Sequence, residues 1–433
     1  MTDLERAQQV KASLPSGGLF AGQNWRVGPR PLALGADLVR DLEMLGRVLL
    51  QFYRASNLLY RHSVEGRMPG WIATLLDQGK PAELVAWQRN VGFKNDLPRV
   101  IRPDVLLTEG GMAISELDSV PGGIGLTQWL NATYAGLGDP VLGGADGMLR
   151  GFESIFGTAA RVRVVVSEES ASYRPEMEWL AGLLGDRFQV VGPDFDGVIE
   201  GDAVYRFFEL FDLANVPRSK EWFAAAAEKK IRLTPPPKPL FEEKLWMGLL
   251  WNRNLRSFWR TELGEGFLER LLKVTPYTWV MDPEPLPPHG AYPGLELTDW
   301  GQLKTLSQRE RDLILKVSGF SSQAWGARGV YLGSDLSAED WGTAVDSALA
   351  AWPESPHVLQ RYHKPRTVPT SWMDGAGAIV PMPGRVRLCP YYFVAGDGDA
   401  ARPKLGGVLA TICPADKKII HGMTDAVLVP CVA

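Results

Sequence analysis

The chain has 433 residues, more than the ~250–300 at which single hydrophobic cores stop growing, so two or three domains are expected. A formal net charge of −4 with no long Lys/Arg run argues against a nucleic-acid surface. No apolar run approaches the ~20 residues of a membrane span, and the polar start MTDLERAQQVKASL has no signal-peptide core. The three cysteines, Cys389, Cys413 and Cys431, are odd in number and stand in no C-x-x-C pair, so neither a disulfide framework nor structural zinc is expected; Cys389 and Cys413 lie in apolar runs and are expected as buried free thiols, in a reducing cytoplasm.

Residues 1–31 form a Gly- and Pro-punctuated lead-in. Leu38, Leu42, Leu45, Leu49 and Phe52 then recur at helical spacing, with Arg40, Asp41, Glu43 and Arg47 between them. That pattern predicts an amphipathic helix reaching to Tyr60. A second helix is expected over Pro81–Asn90, with proline at its start. Over residues 161–194, RVRVVVS reads as a strand, RPEMEWLAGLLG as a helix closed by Gly185, and FQVVGPD as a second strand. A β-α-β unit of this kind implies a parallel sheet, which AVYRFFELFDL continues. TPPPKP, residues 234–239, is the expected linker, because consecutive prolines continue neither helix nor central strand.

Beyond it, LFEEKLWMGLLW reads as a helix and MDPEPLPPHGAYPG as an extended connection. LILKVSG, GVYLG, HVLQRY, GRVRLCPYYFV and GGVLATIC read as strands, with one helix, AEDWGTAVDSALAAW, among them. The fold class is mixed, α+β with an α/β portion, and the many strands and few helices of this half argue against a doubly wound sheet.

The densest chemistry lies in RPDVLLTEGGMAISELDSVPGGIGLT, residues 102–127. Two strands, Arg102–Thr108 and Met112–Asp118, joined through Glu109-Gly110-Gly111, would set Thr108 against Met112, Leu106 against Ile114 and Asp104 against Glu116. Alternation then gathers Arg102, Asp104, Glu116 and Asp118 in one patch. Like charges facing each other across a strand pair repel by the order of 0.2–1 kcal/mol, and a dication removes that repulsion. Oxygen ligands without His or Cys suit Mg2+ or Mn2+ shared with substrate phosphates. The bland alternative is a solvated hairpin face in which Arg102 pairs with a neighbouring acid. The following PGGIG, ahead of a helix starting near Thr127, offers backbone N–H groups that can cradle an anion.

Basic groups follow. Lys244 lies on the helix after the linker, and Lys316 ends the strand LILK. SGFSSQAWGARGVYLG is a small-residue loop carrying Gly326, Arg328 and Gly329; it can fold over phosphates, although no Walker A sequence occurs. HVLQRY offers Gln360 and Tyr362 as polar edges for a base.

In this order RPD, ISELDSVPGG, PLFEEKLWMGLLW, LILKVSGFSSQAWGARGVYLG and HVLQRY resemble the circularly permuted ATP-grasp ligases, the group of glutathionylspermidine synthase and eukaryotic-type glutathione synthetase, across residues 100–395. The resemblance implies an ATP-dependent carboxylate–amine ligase working through an acyl-phosphate, with ATP and Mg2+ or Mn2+ as cofactors. It implies Asp104, Glu116 and Asp118 as metal ligands, and Arg102 and Arg328 as the arginines of phosphoryl transfer. Lys244, Lys316, Gly326, Gly329, Gln360 and Tyr362 would be the nucleotide contacts. Four segments follow: N-terminal helices over 1–98, the metal hairpin over 99–155, an inserted β-α-β substrate domain over 156–235, and the ATP-binding part over 236–433. The partners implied are a small-molecule or peptide carboxylate and an amine, with neither nucleic acid nor membrane, and a homodimer as the assembly to test. Asp118 stands where the family has Asn, GARG where relatives have G-R-E-G, and the usual Lys-Pro is missing at Lys316. These departures keep two rivals open: a phosphotransferase acting on a hydroxyl, and a nucleotide-binding protein without catalysis. No Cys precedes Cys389, so the amidase activity of the bifunctional relatives is not implied.

Overall fold

Leu42, Leu45, Leu49 and Phe52 are buried along one helix, Ala36–Val64, which extends the predicted one at both ends. The computed structural model describes residues 1–15, 17, 24–324, 328–420 and 424–433. These divide into two units, Met1–Tyr53 with Arg89–Lys238 and Pro365–Ala433, and Arg54–Gln88 with Pro239–Lys364. The division departs from the four sequence segments: residues 54–88 go with the second unit, and residues 365–433 leave the expected ATP-binding part for the first.

The first unit is built on a sheet ordered Arg26–Val27, Val427–Val432, Arg402–Pro414, Gly384–Ala395, Val100–Thr108 and Gly111–Asp118. The long central strands pair antiparallel. The sequence fits that place: Val386, Leu388 and Tyr392 alternate to one buried face, where the Tyr392 hydroxyl donates to the Leu42 carbonyl. A second, all-parallel sheet runs Phe188–Val191, Val162–Val166, Ala203–Phe207, Arg232–Thr234. Its strands are largely apolar because helices such as Arg174–Leu184 accompany it. TPPPKP, the expected linker, contains the boundary between the two units, after Lys238; residues 234–239 are all buried, and Lys238 donates to the carbonyl of Asp96 at 3.0 Å.

The hairpin departs from the expected register at its turn. Thr108 pairs with Gly111, so the turn is Glu109-Gly110 rather than three residues, and Leu106 faces Ala113 while Val105 faces Ile114. A bulge at Ser115 then shifts the pairing, and Asp104 meets Glu116 and Arg102 meets Asp118 as expected. The bulge solves a conflict in the sequence. Strict alternation would put Ile114 and Glu116 on one face; with one extra residue, Ile114 is 2% exposed in the core while Glu116 joins the acids.

The second unit holds an antiparallel sheet ordered Val330–Leu332, Leu313–Val317, His357–Arg361, Thr278–Val280. The last strand was not expected from the sequence. One face, with Leu313, Leu315, Leu359 and Trp279, packs against Trp341 and Val345 of the helix Ala338–Ala350. Alternation leaves Lys316, Gln360 and Thr278 on the other face, where Gln360 touches Met247 of the helix Leu245–Trp251. Among the described residues no helix is long and apolar enough to cross a membrane.

Candidate active site

In the first unit Asp104 is a buried hub. Arg387 Nη1 donates to its Oδ2 at 3.0 Å, Arg102 Nη2 lies 3.3 Å from its Oδ1, and the Cys389 thiol reaches the same oxygen at 3.4 Å. Arg102 Nη2 also donates to Asp118 Oδ2 at 2.9 Å, while the Val120 N–H donates to Asp118 Oδ1 at 2.8 Å. Burial pulls the Arg102 guanidinium down, but Asp104 and Asp118 outweigh it and hold it well above the ordinary arginine value. Arg387 behaves alike, with burial opposed by Asp104. Burial raises the Asp118 carboxyl and neighbouring Glu116 adds to that, against the pull of Arg102. Four of the sequence-chosen residues, Arg102, Asp104, Glu116 and Asp118, thus belong to one face of one hairpin.

Asp104, expected as a metal ligand, is here the counter-ion of two arginines. Among the described residues no three His, Cys, Asp or Glu side chains are gathered so as to hold a metal ion. Glu116 and Asp118 stand at alternate positions of one strand, and both Asp118 oxygens accept hydrogen bonds, from Arg102 and from the Val120 N–H; oxygen donors of this kind, one or two carboxylates, are the type magnesium takes.

The glycine turn holds an anion from its own chain. Glu176 accepts from the backbone N–H of Gly123 at 3.1 Å, Gly125 at 2.7 Å and Leu126 at 3.4 Å, capping the helix Ile124–Gly136. Gly123 has φ +88°, the left-handed region that turns these N–H groups inward and that a side chain would strain. Burial raises the Glu176 carboxyl, and the three N–H donors pull it back. The Tyr391 hydroxyl fixes the turn from the other side by donating to Gly122 O at 2.7 Å. So the cradle expected for a ligand anion is filled by Glu176.

In the second unit Lys316 Nζ donates to Gln360 Oε1 at 3.0 Å, and Gln360 Nε2 donates onward to Thr278 Oγ1 at 3.0 Å. Gln360 is 2% exposed with both ends of its amide engaged, so it orients Lys316 instead of presenting a free edge to a base. Lys244 stands at the start of the helix Leu245–Trp251, its Nζ 3.4 Å from Ala324 O in the loop after Lys316. Arg328 is exposed just before the strand Val330–Leu332. Gly329 is held by backbone bonds to Gln323 and Val317, and Tyr362 is half-buried with its N–H on Asp312 O. Gly326 lies outside the described residues.

Sequence reasoning missed Arg387 and Glu176. The alternation of Arg385 and Arg387 in GRVRLC was the available signal for the first. Nothing local marks Glu176, one acid in an ordinary helix.

No family model and no curated protein matches the chain. Among solved structures it is similar to a glutathione synthetase-like effector of Globodera pallida in its apo form, with TM-score 0.58 and 12% identity, over 99% of this chain and 96% of that one. A protein of Methylobacillus flagellatus KT with the provisional name gamma-glutamylcysteine synthetase aligns over 92% of this chain and 89% of its own, at 12% identity and TM-score 0.41, too low to carry an argument. At these identities the likeness is one of fold: end to end, the chain has the mixed α/β fold of the glutathione synthetase-like effector.

Proposed function

We propose that the chain is an ATP-dependent carboxylate–amine ligase of the circularly permuted ATP-grasp kind, forming an amide through an acyl-phosphate and releasing ADP and phosphate. The observation that carries this reading is the hairpin patch of Arg102, Asp104, Glu116 and Asp118 in a chain with the fold of a glutathione synthetase-like protein. A carboxylate has no good leaving group, and phosphorylation supplies one. The chain's part is to hold reactants and match charge that develops on the transferred phosphoryl group. Arg102, kept cationic and directed by Asp104 and Asp118, meets that charge. Arg387, the second cation on Asp104, shares the task of fixing Asp104. Lys244 and Lys316 are the phosphate-binding cations, with Lys316 steered by Gln360. Arg328 is the loop arginine of this reading. Glu116 and Asp118 would hold magnesium, which supplies neutralising charge to the nucleotide phosphates when bound.

One observation favours a second reading, a nucleotide-binding protein without catalysis: both oxygens of Asp104 are already taken by Arg387, Arg102 and Cys389. A panel of acids and amines incubated with Mg-ATP and read by mass spectrometry for ADP and condensed product together decides between them. The ligase reading expects both products from at least one pair, and their loss in a folded Glu116→Ala variant. ADP with a phosphorylated hydroxyl compound would indicate a phosphotransferase instead, and nucleotide binding with no turnover across the panel would favour the inactive reading.

A further inference from the structure

We propose that Lys80 and Glu243, neither of which touches the nucleotide in the reading above, are positioning residues that set Lys244 and Lys316 for the phosphates; the proposal rests on that reading. Both side chains are almost wholly inside the second unit, 1% and 2% exposed, with Lys80 Nζ 2.6 Å from Glu243 Oε1. A buried ion pair is seldom a source of stability, since desolvation offsets its attraction and apolar replacements do as well. Its structural consequence is therefore the informative part. The other oxygen, Glu243 Oε2, accepts from the Ser318 hydroxyl. Ser318 Oγ in turn accepts from the backbone N–H of Lys244 at 3.0 Å and of Leu245 at 3.1 Å.

The direction of this chain of bonds is fixed. Two N–H groups can only donate, so the hydroxyl must accept from both, and its single proton is left for Glu243. Glu243 must then be an acceptor at both oxygens, which the Lys80 cation stabilises. The series Lys80, Glu243, Ser318, Lys244 is polarised in one sense with no alternative arrangement. It ties the start of the Lys244-bearing helix to Ser318, two residues after Lys316 and one past the end of the strand Leu313–Val317. Ser318 is itself anchored by its N–H on Pro356 O at 2.9 Å. Close approach is built in at Gly319, where an added Cβ would lie 2.5 Å from the Glu243 carboxyl carbon and 2.9 Å from Glu242 O. Lys80 enters from the loop between the helices Trp71–Asp77 and Ala82–Arg89, so a segment far from both lysines in sequence sets their spacing.

The test is calorimetric binding of Mg-ATP and, separately, of adenosine to the full chain and to Ser318→Ala, Glu243→Gln and Lys80→Met. Ser318→Ala leaves the ion pair intact and is the variant least exposed to misfolding. The expected result is a loss of Mg-ATP affinity of about tenfold or more in each folded variant, with adenosine affinity unchanged, because only the phosphate cations move. Equal losses for both ligands would reduce the pair to a structural role and overturn the proposal. So would wild-type Mg-ATP affinity in Ser318→Ala and Glu243→Gln. If the unmodified chain binds no Mg-ATP, the nucleotide reading itself falls and takes this proposal with it.

Discussion

Arg387 Nη1 lies 3.0 Å from Asp104 Oδ2, a contact that spans 283 positions of sequence. Together with Arg102 on the other oxygen it makes Asp104 the point at which a hairpin strand and its sheet neighbour are charge-matched. Removing one arginine leaves a buried carboxylate under-neutralised. Arg387→Met is expected to lower the unfolding free energy by about 1.5–3 kcal/mol, the scale of a hydrogen bond to a charged group. Urea denaturation measures it, and no change in the midpoint would show that Arg102 alone suffices.

Glu176 gives a pH signature. Its carboxyl is raised by burial against three opposing N–H bonds, so the folded chain binds a proton that the unfolded chain releases. Stability attributable to the group is then fully present below the unfolded value of 4.5 and is lost as pH rises through the folded value. The stability of the wild type relative to Glu176→Gln should be greatest in acid and decline upward through that window, as read from denaturation curves at stepped pH. An advantage that grows with pH would mean that the N–H donors outweigh desolvation.

Gln360 is a neutral partner for Lys316, and replacing it by a carboxylate should capture the lysine. On the ligase reading proposed above, Gln360→Glu is expected to weaken Mg-ATP binding about tenfold, since the lysine charge is then spent inside the protein. Calorimetry on the folded variant checks this, and unchanged affinity would separate Lys316 from the phosphates.

The cysteines should be inert in the folded chain. Burial, with Asp104 adding and Arg387 opposing, pushes the Cys389 thiol up to about 12, and Cys413 and Cys431 are buried and raised as well. Iodoacetamide at pH 8 is expected to leave all three unmodified in native protein and to alkylate all three in guanidinium chloride, as read by intact mass. Prompt native labelling of Cys389 would contradict the closed environment around Asp104.

By itself the sequence determined the local elements whose signal is periodic. The helix Ala36–Val64, the β-α-β order of the parallel sheet and the existence of the hairpin follow from alternation, helical spacing and turn residues, whereas the pairing of Asp104 with Glu116 needs the bulge at Ser115. Lys316 was legible as a strand-end cation because LILK alternates into a core. Tertiary structure alone decided what those groups meet. Arg387 on Asp104, Glu176 in the glycine turn and Lys80 on Glu243 join segments tens to hundreds of residues apart, and the bulge at Ser115, although local, places Ile114 in the core and Glu116 among the acids. A buried charge must find a partner wherever the folded chain brings one. Local spacing carries no record of that choice, so only the packed structure can name the partner.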